Sequence, residues 1–180
     1  MMRRGVTGFA VLAVVVIAVA AAAGYWAGRR STPQAPAAAA SAARGAQLVE
    51  LGGCDNCHTP KLPDGSLDMS RRLSGYQEGV SPLPPAVAPG QVSANPDFTS
   101  FRGDWGVSKA RNLTPDATGI GGWSETQFIQ TLKTGVDPSG MKLMPPMPIM
   151  ELENAPEADL AAIYNYLRTL KPVANKITGM

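Results

Sequence analysis

The 180 residues contain only two cysteines and one histidine. This scarcity excludes a disulfide framework and a four-ligand zinc site built from Cys and His. It also excludes any metal centre that needs two imidazoles from this chain. Charge is scarce too, at 17% of residues with a formal net of +2. Of the 16 basic side chains, Arg3, Arg4, Arg29 and Arg30 flank an apolar run, which leaves 12 basic against 14 acidic residues elsewhere. The remainder is mildly acidic, so nucleic acid is not an expected partner. No internal repeat and no convincing strand alternation is found, and the length suits one folded unit with an appendage.

What the chain does have begins with residues 5–28, a stretch of 24 residues without a charge. As a helix rising about 1.5 Å per residue, it would span a hydrocarbon core of roughly 30 Å. Arg3 and Arg4 before it and small residues at Ala21 and Ala23 also fit a cleaved secretory signal. Its length, Tyr25 and Trp26 at headgroup depth, and Arg29-Arg30 beyond favour a retained anchor. Residues 1–30 are therefore expected to be an N-terminal transmembrane helix. Residues 31–43 (STPQAPAAAASAA) carry no charge and no large apolar side chain, which suits a tether whose prolines confine any helix to its second half.

The folded domain is expected over residues 44–180. Ala46, Leu48, Val49 and Leu51 give a helical apolar face that Gly52-Gly53 ends. Ser124 with Gln127 makes a capping box for a helix running to about Thr134, with Gly135 as its stop. Pro156, Glu157 and Asp159 open a second helix, with Leu160, Ile163, Tyr164, Leu167 and Leu170 at core spacing and Pro172 beyond. Residues 59–109 are rich in Pro, Gly, Ser and Asp and show no sustained period, so a long irregular loop insertion is expected.

Both cysteines and the histidine lie together in Cys54-Asp55-Asn56-Cys57-His58. C-x-x-C-H is the spacing of covalent c-type haem attachment: two thiols add to the two vinyl groups of one porphyrin edge, and the adjacent imidazole is carried under the iron. A redox dithiol would expect a thioredoxin-like βαβ context, which is absent. One motif implies one covalent haem c. Bacterial haem attachment takes place outside the cytoplasmic membrane, which sets the expected orientation: a single-pass protein of that membrane with its haem domain on the periplasmic face.

With His58 as proximal ligand, the sixth position falls to methionine, another weak donor, water or nothing. Met144, Met147 and Met150 stand in LMPPMPIM. Prolines at 145, 146 and 148 favour an extended path repeating every three residues, with the three thioethers to one side. Met147 is the choice, because proline on both sides stiffens its backbone. Core-filling methionines and a soft Cu(I) site are the competing readings.

At this point the chain resembles class I cytochromes c, and more narrowly the cytochrome domains found beside membrane-bound sugar and alcohol dehydrogenases. RGAQLVELGGCDNCHTPK and LMPPMP carry the resemblance, with support from NLTPDATGIGGWSETQF and DLAAIYNYLRTLKPVAN. It implies an all-α cytochrome c fold whose first and last helices cross near Gly45 and Tyr164. It further implies that Asn112 and Thr114 lie near the haem edge, and that the methionine before Pro148 is the distal ligand. Ile149 departs from the family, in which an aromatic residue often follows the Met-Pro pair.

Trp105 and Trp123 read as packing residues. Arg111 reads equally as a partner for a haem propionate and as an exposed loop arginine. The lysines at 61, 109, 133, 142 and 171 form no cluster. A six-coordinate His/Met iron has no open position for substrate, so the expected role is electron carriage and not enzymatic catalysis. The alternative is a catalytic or gas-sensing haem protein with an open distal site. Expected partners are redox proteins such as a dehydrogenase, a quinol-oxidising complex or a terminal oxidase, and membrane lipid through the N-terminal segment. The chain would act alone or as a subunit of a larger complex.

Overall fold

The computed structural model describes residues 37–179. The apolar run and the anchor expected there lie outside these residues. Among the described residues no helix is long and apolar enough to cross a membrane.

Helices build the core. α1 (Ala37–Leu51) leads to the one-turn helix α2 (Cys54–His58); α3 (Glu125–Thr134), α4 (Ile149–Glu153) and α5 (Glu157–Leu167) follow late in the chain. α1 and α5 cross at a glycine. A Cβ added at Gly45 would stand 1.9 Å from the Ala162 carbonyl oxygen and 2.8 Å from Tyr166 Cβ, so only glycine permits this approach. Val49, Leu160 and Leu167, all fully buried, fill the space around the crossing, and Leu73, Ile120, Phe128 and Leu132 complete the cluster.

The local signals for α3 act as expected. The Ser124 N–H donates to Gln127 Oε1 at 2.9 Å, and the Gln127 N–H donates to Ser124 Oγ at 3.2 Å. Gly135 caps the other end at φ 68°. α5 ends at Leu167, one turn short of the sequence expectation, because Thr169 and Leu170 bond back three residues, to Tyr166 and Leu167. Tyr164 joins the helices by donating its hydroxyl to the Trp123 carbonyl at 2.7 Å and setting its ring 5.6 Å from that of Phe128.

The all-α expectation is corrected in the long excursion, where three short antiparallel strands, β1 (Ser93–Ala94), β2 (Ser100–Gly103) and β3 (Gly106–Lys109), form a sheet in chain order. Strands of two to four residues are too short for a period-two pattern to show. The β2–β3 hairpin closes through Asp104 and Trp105 between paired Gly103 and Gly106. Trp105 lies over Gly103, where a Cβ would meet its ring at 2.4 Å.

One repeated device organises turns in this excursion and in the loops after it. Asp64, Asp68, Asp97, Asp116 and Asp137 each accept, through one carboxylate oxygen, both the N–H and the hydroxyl of the Ser or Thr two residues on. Such Asx turns satisfy backbone donors where no helix or strand does so.

Candidate haem-attachment site

The attachment motif is itself the helix α2. Gly53, at φ 63°, breaks the chain from α1 and starts the new turn. Cys54 and Cys57, three residues apart, share one face of it. Both thiols are free and half-buried. Burial pushes the Cys54 thiol up to about 11, helped by the neighbouring Asp55 carboxylate, and burial also raises Cys57. Thiols held protonated are the reverse of a redox dithiol, whose nucleophilic cysteine is depressed.

His58 is buried, and burial lowers its pKa, so the imidazole is neutral and ready to act as a ligand. Its Nδ1 lies 2.8 Å from the Arg111 carbonyl oxygen. A proton on Nδ1 makes this a donated hydrogen bond and leaves Nε2 as the free lone pair, the arrangement that fixes a ligating ring. Among the described residues Nε2 has no hydrogen-bond partner, which fits an iron ligand. The carbonyl is held in place by the segment threaded between it and the motif. Gly75 N–H donates to His58 O at 2.7 Å, Tyr76 N–H to Ala110 O at 2.9 Å, and Leu113 N–H to Leu73 O at 2.8 Å. A Cβ at Gly75 would sit 2.4 Å from the Ala110 oxygen, so glycine is required there as well.

Asp55, inside the motif, fastens α2 to the fold. Its carboxylate takes a fork from Arg72, Nε to Oδ1 at 3.0 Å and Nη2 to Oδ2 at 2.6 Å, and the Thr59 hydroxyl at 2.6 Å. Burial works against its charge, but these donors outweigh it and hold the carboxyl below its usual range. Arg72 reaches on to the Tyr166 hydroxyl at 2.5 Å, which ties the motif to α5. Lys61 donates to the carbonyls of Asn56 and Asp97, at 2.7 and 2.8 Å, joining the motif helix to the strand-bearing excursion. Sequence reasoning missed Asp55, Arg72, Thr59 and Tyr166, whose partnership spans up to 111 positions and leaves no local pattern.

The methionine segment differs from the extended path expected of it. The Met147 N–H donates to Met144 O at 3.2 Å in a turn, and Pro148 then caps α4. Proline suits that place because the first helical N–H groups need no intrahelical acceptor. Met147 packs against the core cluster and Met144 is half-buried, whereas Met150 is 73% exposed on α4. Met147 also lines an open cavity of about 500 Å³ together with Leu143, Pro145, Pro148 and Ile149. Lys133 holds α4 against α3 by donating to the carbonyls of Glu153 and Ala155 at 2.8 and 2.6 Å.

Asn112 and Thr114 are buried under the C-terminal segment: Asn112 Nδ2 donates to Val173 O at 2.8 Å, and the Val173 N–H to Thr114 Oγ1 at 3.1 Å. The Arg111 side chain is neither free nor exposed, since it pairs with Asp137 at 2.8 Å.

No protein-family model matches the chain. Among curated proteins it is 30% identical over 175 residues to a dihaem cytochrome c-type protein of Cereibacter sphaeroides, covering 95% of this chain and 50% of that protein. It is 30% identical over 131 residues to the fructose dehydrogenase cytochrome subunit of Gluconobacter japonicus, covering 71% and 21%. A nicotinate dehydrogenase subunit of Pseudomonas putida is 29% identical over 131 residues, covering 72% and 9%. The chain thus spans half or less of the length of these relatives. It combines a C-x-x-C-H turn with a buried, oriented histidine, and along most of its length it is similar to cytochrome c proteins, among them cytochrome c subunits of dehydrogenases.

Proposed function

We propose that the chain is an electron carrier holding one haem c, bound covalently through Cys54 and Cys57, with His58 and Met147 as the axial ligands of the iron. The observation that carries this reading is His58: buried, neutral, and committed through Nδ1 to the Arg111 carbonyl. A single attachment motif in the chain supports a single haem. The haem, when bound, supplies a one-electron iron couple. The protein's own residues do the rest. His58 keeps one ring orientation in both oxidation states, because its second nitrogen is anchored to backbone. Met147, stiffened by proline on both sides and packed on the core, would supply the second axial thioether and so leave no open position for substrate or water.

In this reading the electrons come from a dehydrogenase, consistent with relatives named as subunits of fructose, alcohol and nicotinate dehydrogenases. A quinol-oxidising complex is the alternative donor, and a terminal oxidase is the acceptor. The apolar run at residues 5–28 anchors the chain to the cytoplasmic membrane with the haem domain on the periplasmic face.

The test is spectroscopic. Haem should stay on the polypeptide through denaturation and acid-acetone extraction, and the oxidised protein should show the near-infrared thioether-to-iron band. Met147→Ala should abolish that band, open the reduced iron to carbon monoxide and lower the reduction potential. Met144→Ala and Met150→Ala should leave the spectrum unchanged. Extractable haem would refute covalent attachment, and a wild-type protein that lacks the band and binds carbon monoxide readily would favour a catalytic or sensing haem.

A further inference from the structure

Arg111 and Asp137 form an ion pair at 2.8 Å with side-chain exposures of 19% and 3%. Neither belongs to the attachment motif or to the methionine segment, yet Arg111 is bonded to the motif and Asp137 to the hairpin that directly precedes the methionine segment. Arg111 offers its carbonyl to His58 Nδ1. Asp137 Oδ1 accepts the Ser139 N–H at 2.9 Å, the Ser139 hydroxyl at 2.7 Å and the Met141 N–H at 2.9 Å, leaving Oδ2 for the guanidinium. The same hairpin is closed by the Asp137 N–H on Met141 O at 2.9 Å and the Leu143 N–H on Gly135 O at 2.7 Å. Leu143 then leads directly into Met144 and Met147.

A buried ion pair is weak evidence of stabilisation, because desolvation offsets most of the attraction. Its geometry is better evidence of register. Four donors converge on one carboxylate, three from its own hairpin and one from the segment that fixes His58. Shifting either segment against the other would leave a charge buried and unpaired, which is strongly unfavourable.

We propose that Asp137 is a positioning residue for both sides of the iron: through Arg111 it holds the carbonyl that orients His58, and through Ser139 and Met141 it sets the hairpin that delivers Met147. This rests on the haem reading above. The two axial sides are thereby coupled, so that a change at Asp137 is felt at His58, far from it in sequence.

The chain has one histidine, so ¹⁵N-histidine labelling of the full-length reduced holoprotein gives a single ring to follow. Asp137→Asn should measurably speed solvent exchange of the His58 Nδ1 proton, because the carbonyl that accepts it is then less firmly held. It should also raise carbon monoxide uptake by the reduced iron. Arg111→Leu, which keeps the backbone carbonyl, should do the same, and the double variant should go no further than either. If Asp137→Asn does not fold, Arg111→Leu decides alone. Unchanged ring-proton exchange, or independent effects that multiply in the double variant, would overturn the proposal. Altered exchange with unchanged carbon monoxide uptake would overturn its distal half. A wild-type protein that already binds carbon monoxide refutes Met147 as ligand, and extractable haem refutes attachment. In both cases ring-proton exchange still decides on Asp137, because the hydrogen bond to Arg111 is made within the polypeptide.

Discussion

Gly45→Ala tests the helix crossing on which the whole core is built, and the sign of its effect is diagnostic. Alanine is the better helix former, so propensity alone would stabilise α1 by about 1 kcal/mol. The added Cβ, however, would stand 1.9 Å from the Ala162 oxygen and 2.5 Å from its carbonyl carbon, both backbone atoms that cannot rotate away. Ordinary contact requires about 3.3 Å or more, so α1 and α5 must part by well over 1 Å. Val49, Leu160 and Leu167 lie fully buried beside this contact. Complete burial of each stabilises by about 1.5–3 kcal/mol, and a gap of about 1 Å forfeits a quarter to a half of that contact energy. The loss of roughly 2–4 kcal/mol exceeds the propensity gain, for a net destabilisation of about 1–3 kcal/mol. Urea titration of the holoprotein, followed by far-UV circular dichroism, should show the midpoint falling by about 1 M with little change in slope. An unchanged or raised midpoint would mean that the helices do not meet this closely, and would refute the packing described above.

The Asx turns predict acid sensitivity. Asp64, Asp68 and Asp116 are held below the usual carboxylate range, chiefly by the hydroxyls of Ser66, Ser70 and Thr118. Depressed carboxyls contribute stability that is present above their unfolded pKa of about 3.9 and is lost as pH falls through the folded values. Urea midpoints should therefore decline below about pH 4; a flat profile down to pH 3 would contradict the turns. Asp55→Asn breaks the Arg72 fork beside the motif and should cost about 1–2 kcal/mol, read as a lower melting temperature, with Arg72→Met costing about as much and the double variant little more. The apolar run at residues 5–28 should keep the protein with membranes through high-salt washing, and recovery of a soluble form beginning near residue 24 would identify the run as a cleaved signal.

The parts of the fold legible in the sequence are those whose causes are local. The capping box at Ser124, the stop at Gly135 and the proline before Glu157 act within a turn, so the residues that cause each helix end lie next to it. C-x-x-C-H is legible for the same reason: its residues lie within five consecutive positions, and the structure makes those five a single helical turn. The three strands escaped because each is shorter than the window in which alternation shows. The Gly-Asp-Trp-Gly hairpin was the available signal, two residues between glycines.

What the sequence conceals is how α2 is attached to the rest. His58 needs a carbonyl, Asp55 a guanidinium and Lys61 two carbonyl oxygens, and these come from residues 111, 72, 56 and 97. Backbone acceptors carry no side-chain signature, so no residue type at 111 or 97 announces the role. The long excursion between Thr59 and Lys109 supplies two of these partners, Arg72 and the Asp97 carbonyl, and its Gly75 turn pins the segment that carries the Arg111 carbonyl. A helix of five residues cannot bury its own motif. The excursion, pinned by its Asx turns, returns across the motif and places glycine at 75, where backbone must pass within contact of backbone. Read from composition it is irregular; read from its hydrogen bonds it is the wall that orients His58. Loss of Gly75 should accordingly harm the proximal side before the fold. Gly75→Ala, at φ +79° with Cβ 2.4 Å from the Ala110 oxygen, should displace the 110–113 segment and weaken the His58–Arg111 hydrogen bond. In ¹⁵N-histidine spectra the ring proton should exchange faster, while the α1–α5 crossing, which Gly75 does not touch, keeps its helical signal. Slow exchange in that variant would show that the wall does not set the ring.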